Sequence, residues 1–293
     1  MDREFFKKEM HEYIDDLYLK FGQYQEDVIK SLIEFDKVCR NNNICYYLGF
    51  GSLLGFARDG GILPWDYDID VVVPITEKDK LVSALKEQLH SDYYFYCPEV
   101  DPKCRHYCMR ITKKGFDSSA VHMDVFFLIG APEDARKREK FRKDVRRVNL
   151  IRKAKLVNVE AESMGIDAFK LAMFLKKIYY KLVFPLPMLD RKQKQLCDTV
   201  PLQDAKFVTT MQAAADTYTS DIFGVPSEVM VNGVPILAPT DVIKFFNQTY
   251  KNYKEYPKIS SRFEEFYNSS KRLAYFETMK IAESKNDYQI NTY

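Results

Sequence analysis

Apolar residues near the start of the chain recur every three or four positions: Tyr13, Leu17 and Phe21, then Val28, Leu32, Phe35 and Val38. This spacing is helical, and Gly22 between the two runs predicts a break, hence two consecutive helices over 4–42. Asn41-Asn42-Asn43 ends that pattern, and the β-branched and aromatic run Ile44–Leu48 predicts a strand. Gly49-Phe50-Gly51-Ser52 then turns into a short helix through Arg58, and Asp59-Gly60-Gly61 with Pro64 marks an irregular loop. Asp68–Pro74 predicts a second strand. Residues 77–90 follow as an amphipathic helix with Thr76 as its N-cap. Tyr93–Tyr96, Tyr107–Thr112 and Val121–Ile129 predict three more strands. After about residue 130 the pattern turns helical: 136–155 is basic, and 168–184 is apolar with lysines until Pro185 and Pro187 stop it. The predicted fold is α/β (α+β). Residues 1–130 form a mixed-sheet core flanked by helices, and 131–293 form a mostly helical second region packed on it.

Composition narrows the class. Hydrophobic residues at 46% and charged residues at 29% fit a soluble globular chain and exclude a disordered or collagen-like one. The 44 Lys and Arg nearly balance the 42 Asp and Glu, so the charge that would grip nucleic acid along the whole chain is missing, and nucleic acid is not an expected partner. The first ten residues lack the basic and apolar regions of a secretory signal, and no run of 18 uncharged apolar residues occurs. The six cysteines are therefore expected to be reduced thiols and the protein cytoplasmic.

The chemistry lies in an ordered set: Gly51-Ser52, then Asp68-Ile69-Asp70, then Asp124 within Met123-Asp124-Val125. On a strand, residues two apart share a face, so Asp68 and Asp70 project together. Adjacent carboxylates repel unless a cation lies between them, and Mg2+ suits such oxygen donors, with Mn2+ as the alternative. A third carboxylate comes from Asp124 if its strand neighbours the first. A glycine turn opening a helix offers N–H groups to phosphate, to which Ser52 adds a hydroxyl. Carboxylates with a phosphate cradle are the equipment of metal-assisted phosphoryl transfer. Cys104-x-His106-x-Cys108 lacks the usual zinc spacing and reads as ordinary core or edge thiols.

The run Tyr47-Leu48-Gly49-Phe50-Gly51-Ser52-Leu53-Leu54-Gly55-Phe56-Ala57-Arg58, followed by Gly61-Ile62-Leu63-Pro64-Trp65-Asp66-Tyr67-Asp68-Ile69-Asp70, resembles the LicD family of phosphocholine transferases. That family has the nucleotidyltransferase fold and is related to the fukutin-type ribitol-phosphate transferases. His122-Met123-Asp124-Val125-Phe126 is similar to its Ile-Asp-Ile-Phe strand, and Tyr250–Pro257 to its closing Tyr-Gly-x-x-Tyr-x-x-x-Pro element. The chain departs from the family pattern at Ser52 for Thr, Asp59 for His, Tyr67 for the middle Asp of a triple, and Phe127–Gly130 for Pro-Leu-Asp.

The resemblance implies transfer of a phospho-alcohol, most often phosphocholine from CDP-choline, to a sugar hydroxyl with release of CMP. The acceptor is a cell-surface glycan or a lipid-linked oligosaccharide precursor, as in lipopolysaccharide, teichoic acid or capsule. It assigns Asp68, Asp70 and Asp124 as the metal-binding and catalytic aspartates, with Asp124 taking the acceptor proton. Substrate contacts fall on Gly51, Ser52, Arg58, Trp65, Asp66 and Arg110, with residues 131–293 receiving the acceptor. The rival readings are a nucleotidyltransferase releasing pyrophosphate from a nucleoside triphosphate and a non-catalytic scaffold. The basic 136–155 segment beside lysine-edged 168–184 also suits peripheral contact with the inner face of a membrane.

Overall fold

The computed structural model describes residues 15–115, 122–157, 167–212 and 214–258, together with 261, 262 and 264. Helix α1 (Asp15–Asn41) runs unbroken through Gly22. The predicted break is absent because Phe21, Tyr24, Val28, Leu32 and Phe35 are all buried along it. Burying those side chains outweighs the ~1 kcal/mol that a glycine costs inside a helix. The part of the prediction before residue 15 lies outside the described residues.

The sheet is mixed, with helices around it. Strands β1 (Tyr47–Leu48), β2 (Ile69–Pro74), β3 (Tyr93–Tyr96), β4 (Met109–Lys113) and β5 (Met123–Ala131) lie in the order β1-β2-β5-β4-β3. Only β2 and β5 pair in parallel; the other neighbours are antiparallel. Ile69, Val71 and Val73 are fully buried on the face of β2 opposite Asp70, and Val72 is buried on the Asp70 face as well, so the strand is covered on both sides beyond the site. The strand expected over Ile44–Leu48 shrinks to β1 because the Ile44 N–H still donates to Cys39 O at the end of α1. Thr76 does not cap the next helix. It sits inside a 3-10 turn (Ile75–Glu77), and α3 (Lys78–Gln88) starts after Glu77 with no side-chain capping bond.

The expected division near residue 130 falls within β5, and the sheet continues past it. Helices α4 (Ala135–Lys155), α5 (Asp167–Val183) and α6 (Leu186–Cys197) follow, but then β6 (Phe207–Thr210) returns to pair with β5, and β7 (Tyr218–Thr219) with β6. A hairpin of β8 (Ser227–Val231) and β9 (Val234–Ala238) and a short α7 (Val242–Thr249) complete the described fold. Val208, Tyr218, Ile236 and Phe245 share one apolar core with the residues of β2 and β5. Among the described residues, the second half is therefore mainly helical to Cys197 and mainly short strands after it, with α7 following them. The later strands, two to five residues long, carry too little periodicity to stand out in the sequence.

Two devices hold the loops that border the site. Arg152 of α4, fully buried, donates to Cys104 O, Pro102 O and Asp190 Oδ1, and lies 4.6 Å from the Tyr107 ring centroid. It ties α4 and α6 to the segment that leads into β4. The second is Gly55, which opens a π-helical turn (Gly55–Asp59). A Cβ there would lie 2.5 Å from Gly61 O and 3.0 Å from Leu63 N, both backbone atoms. Gly55→Ala is therefore expected to destabilise the fold by about 1–3 kcal/mol in chemical denaturation. A loss near zero would show that the 59–64 loop moves aside freely.

Candidate active site

The register of three neighbouring strands assembles the site. Asp70 of β2 pairs with Asp124 of β5, and Asp124 pairs in turn with Arg110 of β4. Asp68 sits immediately before β2 and His122 immediately before β5, each two residues from its strand aspartate. The turn before α2 (Phe50–Leu54) is stitched to the same place. Gly49 N–H donates to Asp70 O at 2.9 Å, and the Asp70 N–H donates to Ser52 Oγ at 2.9 Å. Ser52, expected to face phosphate, is buried and fixes the Asp70 backbone. Phe50 holds a left-handed backbone (φ 47°), which edge-on packing against Phe126 at 5.5 Å helps to hold. A Cβ on Gly51 would come within 2.8 Å of Asp66 Oδ2, so the glycine makes room for that carboxylate over the turn. Gln25 of α1 reaches Leu63 O and Asp66 O and anchors the loop from below.

One oxygen from each of Asp68 and Asp124 and one ring nitrogen of His122 lie within 4.8 Å of one another. His122 Nε2 is 3.8 Å from Asp68 Oδ2 and 3.7 Å from Asp124 Oδ1. This donor set fits a divalent cation: two carboxylates suit Mg2+ or Mn2+, and the imidazole widens the choice toward softer ions. The structure thus gathers Asp68 and Asp124 with His122, which was not among the expected ligands, whereas Asp70, expected as a third aspartate ligand, is not part of this group. The Cys104, His106 and Cys108 segment makes no such group among the described residues. Cys104 Sγ bonds His106 O, and His106 Nε2 accepts from Arg105.

The electrostatics match a cation site. Burial raises the Asp68 carboxyl well above its usual range, and Asp66, Asp70 and Asp124 push it further. Asp70 is raised by burial, then by Asp124 and Asp66, with Arg110 opposing. Asp124 goes the other way. Burial raises it, but Arg110 (Nε to Oδ1, 2.8 Å) and His122 bring it below its ordinary value. Arg110, also buried, keeps its charge because Asp124 outweighs the desolvation. Lys153 adds a further positive group. Although the residue is exposed, its ammonium is lowered by desolvation and then by Arg105 and Arg110.

Two expected substrate contacts have other surroundings. The Arg58 guanidinium is held by Asp59 in a two-pronged pair, donates to Tyr253 O, and sits 4.3 Å from the Tyr256 ring centroid. It bolts the 250–257 segment onto the π turn. Trp65 is buried edge-on to Tyr256 at 6.5 Å, with the Arg262 guanidinium 5.6 Å from its ring centroid.

Residues 43–148 match the sequence profile of the LicD/FKTN/FKRP nucleotidyltransferase domain. This segment is similar to the LicD-family domain. It holds every strand from β1 to β5 and all of Gly51, Ser52, Asp66, Asp68, Asp70, Arg110, His122 and Asp124. The chain is also 30% identical, over 127 residues, to the lipopolysaccharide cholinephosphotransferase LicD of Haemophilus influenzae. That match covers 40% of this chain and 47% of the relative, so the chain spans about half the length of the curated protein it matches.

Sequence reasoning about the LicD-type domain missed three contributors. His122 carried a readable signal, since His122-x-Asp124 repeats the alternation of Asp68-x-Asp70. Tyr250 lies close enough that Asp70 and Asp66, after burial and Tyr218, help to raise its phenol. Lys153 comes from α4, outside the matched segment, and nothing local in the sequence places it near Asp124.

Proposed function

We propose that the protein is a metal-dependent transferase that moves a phospho-alcohol, phosphocholine foremost, from a CDP-activated donor to a sugar hydroxyl, releasing CMP. The acceptor in this reading is a glycan or its lipid-linked precursor. The observation that carries the proposal is the group of Asp68, His122 and Asp124 within a segment similar to the LicD-family domain, supported by the name of the Haemophilus relative.

Asp68 and Asp124, as anionic ligands, and His122 beside them would hold a divalent ion, which would supply neutralising charge for the diphosphate and the leaving CMP. Arg110 keeps Asp124 ionised, which favours ligation. Asp124, to which the resemblance gives the base role, and Asp70, its register partner on β2, are the strand carboxylates proposed for taking the acceptor proton. Lys153, with Arg105 next to it in charge, offers cationic contact for phosphate oxygens.

The deciding measurement is CMP release from a panel of CDP-alcohols with glycan extract as acceptor, in Mg2+, Mn2+ or EDTA. The expected result is EDTA-sensitive CMP from CDP-choline. Metal-dependent pyrophosphate from nucleoside triphosphates, with no CMP from any CDP-alcohol, would replace the proposal with a nucleotidyltransferase. Silence in both assays would favour a non-catalytic scaffold.

A further inference from the structure

Helix α5 presents its apolar residues outward. Leu171, Phe174, Leu175, Ile178, Tyr179 and Leu182 are all exposed, Leu182 to 78% and Leu171 to 62%. Their spacing of three, one, three, one and three places them on one side of the helix. The other side is turned to the protein: Met173, Lys177 and Tyr180 are half-buried, Lys177 Nζ donates to Val157 O beyond the end of α4, and Lys155 of α4 donates to Lys181 O. A helix packed onto a globular body ordinarily shows the reverse arrangement, and a continuous apolar ridge of this length marks a surface meant to be covered.

The charge around the ridge identifies what covers it. Residues 135–197 contain 18 Lys and Arg against six Asp and Glu, although the whole chain carries a formal net charge of only +2. The near-neutral total conceals a strongly basic lobe of α4, α5 and α6 offset by acidic sequence elsewhere. Lys176 and Lys181 are exposed on α5, and Arg136, Lys137, Lys140, Lys143 and Arg147 are exposed on α4. An apolar ridge set in a basic field is complementary to a surface that is apolar inside and anionic outside. Two copies meeting through this face would bring both basic lobes together and repel. A nucleic acid would satisfy the lysines and leave the leucines in water. No described helix is long and apolar enough to cross a membrane, so the ridge is suited to lie along one.

We propose that the outer face of α5 docks on an anionic lipid bilayer, with the helix lying in the interfacial plane and the exposed lysines of α4 and α5 meeting the headgroups. This is independent of the transfer reaction and stands whether or not CMP is released.

The full chain is tested by flotation with phosphatidylcholine vesicles, with and without about one-third phosphatidylglycerol, at low and high salt. The expected outcome is binding to the anionic vesicles, about tenfold weaker on pure phosphatidylcholine or at high salt. The double variant L175E/I178E should lose that binding by about tenfold or more while keeping the wild-type melting temperature, since both side chains are already in water. The charge-reversal pair K176E/K181E should weaken binding to anionic vesicles and leave the residual binding to neutral ones unchanged. Absence of binding at low salt would overturn the proposal, as would binding that survives L175E/I178E. Sedimentation showing a wild-type dimer that L175E/I178E converts to a monomer would assign the ridge to a second copy instead.

Discussion

Asp68→Asn will lower metal-dependent CMP release by about a thousandfold or more and will raise the melting temperature of the metal-free protein. The first effect follows from losing an anionic ligand where negative charge develops on the diphosphate, a loss of about 4 kcal/mol or more in the transition state. The second follows from the site itself. Asp68 is partly buried among Asp66, Asp70 and Asp124, and all three raise its carboxyl. A group whose carboxyl is raised in the folded state favours folding in its protonated form. Its contribution is present at acid pH and is lost as pH rises through the folded-state value. At neutral pH an ionised Asp68 therefore weakens the metal-free fold, and the neutral amide removes that repulsion. A gain of about 2–4 °C corresponds to roughly 1 kcal/mol in a chain of this size. Mg2+ should stabilise the wild type and do less for the variant. Activity within tenfold of wild type would remove Asp68 from the site. A fall in the metal-free melting temperature would show that the carboxylate is a structural partner.

Arg110→Met is expected to cost about 3–5 kcal/mol in unfolding free energy, because it leaves Asp124 buried with its principal counter-charge gone. Both side chains are largely shielded, at 9% and 13% exposure, so the pair is not weakened by solvent as a surface bridge would be. The pH dependence gives a second readout. Asp124 has a lowered carboxyl, so its contribution to stability is present above its ordinary value and lost as pH falls through the folded-state value. With Arg110 gone, the Asp124 carboxyl should move up toward those of Asp68 and Asp70, and stability should then be gained, not lost, on mild acidification. The double variant Arg110→Met with Asp124→Asn should recover a large part of the lost stability. Denaturant titrations across pH measure both effects. A cost below about 1 kcal/mol would show that Asp124 is balanced elsewhere.

The sequence was most legible where a strand combined strong alternation with charged residues. Asp68-x-Asp70 and Asp124 stood out because each interrupts a run of β-branched and aromatic residues, and the structure places them on adjoining strands. His122 was within reach of the same reasoning, but a lone histidine invites less attention than an aspartate in an alternating pair. Arg58 and Trp65 were harder, because neighbours nearly 200 residues away define their surroundings: Tyr253 and Tyr256 for Arg58, Tyr256 and Arg262 for Trp65. The uninterrupted α1 shows the same limit, since Gly22 reads as a break only until the buried row on either side of it is counted. Net charge is less informative than its distribution: the total is +2, yet the basic residues are concentrated in the segment from α4 to α6.

The outer edge of β5 is completed by two strands from distant parts of the chain, β4 alongside Met123–Val125 and β6 alongside Leu128–Ala131. Between them, Phe127 N–H donates to the Gln212 side chain and Phe127 O accepts from Met211 N–H, while Gln212 reaches across to Tyr107 O. As the chain leaves the ribosome, the strand that carries Asp124 therefore waits some eighty residues for the partner that closes its far half. The profile match ends at residue 148, so a fragment cut there would leave the far half of β5 an open strand edge, on the same strand as Asp124.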